Sequence, residues 1–79
     1  MEKITVEKDR VVVRVDTRFY PYSSILKTAK KFSDSCWVLV DGDPENTIIV
    51  ILKPKTGDIS LNEIGYEFYN HLIAAIKNG

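Results

Sequence analysis

This sequence has few reactive side chains and no excess of charge. Its 79 residues include one cysteine, one histidine, one tryptophan and four glycines. A single cysteine excludes an intrachain disulfide and fits a reducing, cytoplasmic setting. Eleven basic residues balance eleven acidic ones, for a formal net charge of zero. Non-specific nucleic-acid binding runs on excess positive charge, so this balance argues against it. No apolar run is long enough to span a membrane, and the opening M-E-K-I-T-V-E-K has no apolar signal core. There is neither a glycine-rich phosphate loop nor a cysteine–histidine metal cluster, so no cofactor or metal is expected. What is present is 44% apolar and 28% charged, the composition of a soluble globular protein. The length allows one small domain over residues 1–79, with a core so small that a partner often helps to stabilise it.

The chain is organised around Cys36 to Lys53. C-W-V-L-V-D and T-I-I-V-I-L-K flank the turn residues G-D-P-E-N, which predicts a β-hairpin. A four-residue loop would pair Asp41 with Asn46. Val40 then faces Thr47, Val38 faces Ile49 and Cys36 faces Ile51. Side chains alternate across a strand. One face would therefore carry Cys36, Val38, Val40, Thr47, Ile49 and Ile51, and the other Trp37, Leu39, Ile48, Val50 and Leu52. A sheet with one wet face should alternate apolar and polar residues; this hairpin is apolar on both faces, so both want cover.

Upstream, Ile4 to Glu7 alternates weakly, and Lys8-Asp9 could turn it into R-V-V-V-R-V, Arg10 to Val15. Val11, Val13 and Val15 share one side of that strand. Pro21 can sit in the first turn of a helix, after which Tyr22, Ile25, Leu26, Ala29 and Phe32 fall at helical spacing. Lys27, Lys30 and Lys31 read as its solvated side. Downstream, Ser60 and Glu63 in S-L-N-E form a capping box. The second helix has a core stripe of Leu61, Ile64, Phe68, Leu72, Ala75 and Ile76. Gly65 on that stripe permits close approach to the sheet, and Tyr66, Tyr69 and Ile73 widen the apolar arc beyond what an ordinary surface helix needs. The predicted order is ββαββα, an α+β fold. Its antiparallel sheet has the split β-α-β, ferredoxin-like arrangement, with both helices on one face.

Few residues could carry chemistry. Asp41, Asp43 and Glu45 alternate like a fragment of a calcium loop, but the remaining ligands are absent and a turn explains them. His71 is the only histidine. No recognised spacing places Cys36 or a serine beside it, and a strand cysteine is more often a small buried hydrophobe than a nucleophile. The tyrosines and Trp37 could stack bases, yet no aromatic-basic strand signature is present.

Val15 to Val38, V-D-T-R-F-Y-P-Y-S-S-I-L-K-T-A-K-K-F-S-D-S-C-W-V, resembles the small D component of the His-Xaa-Ser system, the HxsD family. So do the strand exit I-L-K-P-K and the helix segment G-Y-E-F-Y-N-H-L, Gly65 to Leu72. From Ile73 the chain reads I-A-A-I-K-N-G, where the family often has a polar ending. The resemblance implies a companion of radical-SAM proteins and of a repeat-containing peptide target, with no catalytic residue to carry over.

The reading that follows is a non-catalytic accessory or binding protein acting through protein–protein contacts, and not an enzyme. One alternative is a small enzyme using His71 with Cys36 or a carboxylate. The other is a single-stranded RNA-binding module. The expected partner is a second copy or another protein, such as a radical-SAM maturase or its peptide target. The expected interface is Trp37, Leu39, Ile48, Val50, Leu52, Tyr66, Tyr69 and Ile73.

Overall fold

The computed structural model describes residues 3–78. The elements are β1 (Ile4–Glu7), β2 (Arg10–Asp16), α1 (Tyr22–Phe32), β3 (Cys36–Gly42), β4 (Thr47–Pro54) and α2 (Leu61–Asn78). The four strands form one sheet in the order β1-β2-β4-β3, every neighbouring pair antiparallel. Both β2 and β3 oppose β4, so they run parallel to each other, with α1 as their crossover and β4 inserted between them. That is a split β-α-β unit. β1 lies outside β2, in the place that a strand following the second helix takes in the full ferredoxin-like order. The chain thus begins with the strand that the ordinary order puts last.

The expected first hairpin forms, although its two-residue turn has no glycine. Lys8 takes the positive φ, 44°. Pairing of Ile4 with Val13 and Val6 with Val11 puts Ile4, Val11, Val13 and Val15 on the helix side. Pro21 stands just before α1 as its N-cap. The Ser60 carbonyl accepts from the Ile64 N–H at the start of α2, but the reciprocal side-chain bonds of a capping box do not form.

Both helices pack on the same face, α1 over β3 and β4, α2 over β1 and β2. Phe68, Ile25, Leu72, Ile48, Val50 and Leu52 are fully buried between the layers. Each such side chain is worth roughly 1.5–3 kcal/mol. Thr28 is buried with them because its hydroxyl donates to the Ser24 carbonyl at 2.8 Å, which satisfies it within the helix. Gly65 lets α2 descend onto the sheet: a Cβ there would lie 2.6 Å from Ile4 Cγ2.

The central hairpin differs from expectation in register. Val38 faces Leu52, not Ile49, and Cys36 faces Pro54, not Ile51. The slip is three residues, an odd number, so every β4 side chain changes face relative to β3. The cause is the turn. Asp43 N–H donates to the Thr47 carbonyl, Asn46 N–H to the Asp43 carbonyl, and Glu45 N–H to Asp43 Oδ1, each at 2.9 Å. Asp-Pro-Glu-Asn is therefore a tight turn with aspartate first and proline second, the favoured type I pattern. Gly42 continues the strand into this turn at φ 102°. Thr17 braces it, with both its N–H and its hydroxyl on the Asn46 carbonyl.

Gly42→Ala is expected to destabilise the protein by about 2 kcal/mol or more. Its new Cβ would lie 2.4 Å from the Thr47 carbonyl oxygen, at a φ that L side chains rarely adopt. Urea unfolding checks this, and an unchanged midpoint would contradict the turn described here.

Candidate functional site

The sheet face turned away from the helices carries four rows of side chains, one of them the pair Asp16 and Thr47 at the end of β2. Across the middle run Thr5, Val12, Ile51 and Leu39. On one side of it are Arg14, Ile49 and Asp41; on the other are Lys53 and Trp37. Ile48, Val50 and Leu52, expected on this face, point into the core instead. Ile49 and Ile51 take their place. The three-residue slip is the whole reason. Trp37 and Leu39 do lie on the open face, 64% and 58% exposed.

The face is unevenly divided. Its β1–β2 half is polar. Arg14 donates to Thr5 Oγ1 at 3.0 Å, and Asp9 bridges Arg10 and Lys53 at 3.2 and 3.1 Å. Lys53 first, then Arg10, hold the Asp9 carboxyl below the usual carboxylate range. The β3–β4 half is apolar: Trp37, Leu39, Ile49 and Ile51, with Val12 at its border. Lys55 Nζ stands 4.7 Å from the centroid of the Trp37 ring and donates to the Ser33 carbonyl at 3.0 Å. A cation over an indole leaves the rest of the ring free to pack.

The three α2 residues expected at an interface separate into two groups. Tyr66 and Ile73 are exposed. Tyr69 is half-buried against the core, its hydroxyl donating to the Arg14 carbonyl and its ring edge-on to Tyr20 at 5.9 Å. Burial first, then Tyr20, push its phenol up from 10.0 to about 12. Tyr69 therefore fastens α2 to β2.

The remaining candidates converge more than their spacing indicated. Cys36 and His71 line one cleft of about 430 Å³, together with Phe32, Ile59, Glu63 and Glu67. The thiol is buried and its nearest polar neighbour is Ser35 Oγ at 3.9 Å. His71 Nε2 lies 3.8 Å from Glu67 Oε2, beyond hydrogen-bond length, and its ring meets Phe32 edge-on at 5.4 Å. Among the described residues no hydrogen bond joins His71 to Cys36. Asp41 and Asp43 each accept a backbone N–H of their own hairpin, at 2.8 and 2.9 Å, which is turn chemistry. No group of three metal-ligating side chains gathers among the described residues. Nor, among the described residues, is any helix long and apolar enough to cross a membrane.

Fold and surface together define a small split β-α-β protein with one half-sheet of apolar side chains that its own helices do not cover. The chain belongs to the HxsD family: the family model of the His-Xaa-Ser system protein HxsD matches residues 15–75, from the end of β2 through most of α2. No curated protein and no solved structure matches the chain.

Alkaline titration tests the placement of Tyr69. Its phenol pKa is raised by folding, so the neutral form stabilises the fold fully below pH 10. That contribution is lost as pH rises from 10 toward 12. Tyrosinate absorbance is expected to show a late step near pH 12 that Tyr69→Phe removes. A titration unchanged by the substitution would contradict this burial.

Proposed function

We propose that this chain is a non-catalytic accessory component of the His-Xaa-Ser system that works by holding another protein of that system against its open sheet face. The partner is the radical-SAM maturase or its peptide target, in the reducing, cytoplasmic setting that a single buried thiol suits. One observation carries the reading: Trp37, Leu39, Ile49 and Ile51 form a contiguous exposed or half-exposed apolar patch on adjacent strands. Patches of this kind, rimmed by polar groups, mark interaction sites. Arg14, Lys53, Asp41 and the Asp9 bridge form that rim. Tryptophan is also among the residues most enriched at hot spots, and Trp37 is the most exposed side chain of this patch.

The test is binding of the purified maturase and of the repeat peptide to the wild type, to Ile51→Lys and to Glu67→Ala. Ile51→Lys places a charge in the middle row and is expected to weaken one of these complexes by about tenfold or more. Glu67→Ala lies on the α2 side and should leave both unchanged. Equal binding by all three forms, or no binding by any, would overturn the proposal.

A further inference from the structure

We infer that two copies of this chain pair through β3 about a two-fold axis at Leu39, making one continuous eight-stranded sheet. The inference does not rest on the proposed contact at the open face, because it concerns the strand's edge.

β3 is an outer strand of the sheet. Lys55 N–H donates to the Ser35 carbonyl at 3.0 Å and Asp43 N–H to the Thr47 carbonyl at 2.9 Å, bracketing the β3–β4 ladder. Hydrogen-bonded pairs in an antiparallel ladder recur every second residue. Residues 37, 39 and 41 therefore bond to β4, while the N–H and C=O groups of Val38 and Val40 point outward. Neither residue has another hydrogen bond among the described residues. Proteins usually protect such an edge with proline, lysine, a bulge or brevity. C-W-V-L-V-D-G has none of these across seven unbroken pairs. β1, at the opposite edge, has only four residues.

The charges select the occupant and its direction. Near the C-terminal end of β3 lie Asp41 and Asp43; near its N-terminal end Lys55 stands over the Trp37 ring, while Asp34, Glu63 and Glu67 line the cleft beside Cys36. Asp41, Asp43 and Lys55 are in no ion pair among the described residues. A parallel copy would set aspartate against aspartate. An antiparallel copy brings Asp41 of each chain to the Lys55 of the other. The outward groups fix the register: Val38 of one copy bonds Val40 of the other, and Leu39 meets Leu39 across the axis. Trp37, with Lys55 over its ring, then faces Asp41 of the second copy, twice.

The helix layer agrees. Phe32 packs toward α2, against Phe68 and His71. At roughly 100° per residue, Tyr22 and Leu26 lie on the flank of α1 away from α2, above the β3 edge, and both are exposed. In the pair, those flanks face each other.

Sedimentation and amide exchange on the full chain test this. The wild type is expected to dimerise, with the Val38 and Val40 amides protected at high concentration and exchanging freely on dilution. Asp41→Lys alone and Lys55→Asp alone should each weaken the dimer about tenfold or more, and the double reversal should restore it. Thermal melts of each variant confirm that it folds. A monomer at all concentrations, a dimer whose Val38 and Val40 amides stay exposed, or reversals without effect would each overturn the inference.

Discussion

The pairing of β3 with β4 is the constraint on which the rest depends. A pleated strand alternates its side chains without exception, so one register decision sorts every residue of the hairpin. With Val38 opposite Leu52 and Val40 opposite Val50, β4 gives Ile48, Val50 and Leu52 to the core. Any odd slip would send those three outward and pull Ile49 and Ile51 under the helices. The turn at Asp43 to Asn46, held by its own hydrogen bonds and by Thr17, excludes that alternative.

The helices then determine what stays uncovered. α2 is fastened to the β1–β2 side by the missing side chain of Gly65 and by the Tyr69 hydroxyl on Arg14. α1 lies against it through Phe32 and Phe68, 5.4 Å apart. Both are on one face, so the other is left to water. On that face the ion pairs gather beside β1 and β2, and the apolar residues beside β3. The result is a protein whose exposed apolar side chains are concentrated at one margin of its sheet, where the open face and the outer strand β3 meet.

Much of this was legible in the residues. Alternating valines in Arg10 to Val15 and helical spacing of Ile64, Phe68 and Leu72 follow directly from the periods of strand and helix. The family showed through Val15 to Val38 and Gly65 to Leu72. The register does not follow from G-D-P-E as a single four-residue loop, which would pair Asp41 with Asn46. The signal was there: aspartate followed by proline starts a type I turn, which begins the loop later and lengthens β3 by a residue. Buried Thr28 had no such signal, since a hydroxyl that bonds its own helix looks polar in sequence. Nor did any spacing announce that Cys36 and His71 share a cleft; α1, α2 and the loop after β4 bring them there only in three dimensions.

The register can be tested directly by comparing the urea-unfolding stabilities of Ile49→Lys and Val50→Lys, neighbours in sequence with similar side chains. Lysine at position 49 reaches water on the open face, and its cost is expected to stay near 1 kcal/mol. Lysine at position 50 buries a charge between the layers, and the variant is expected to lose about 3 kcal/mol or more, or not to fold. The opposite ranking, or equal losses at the two positions, would contradict the account.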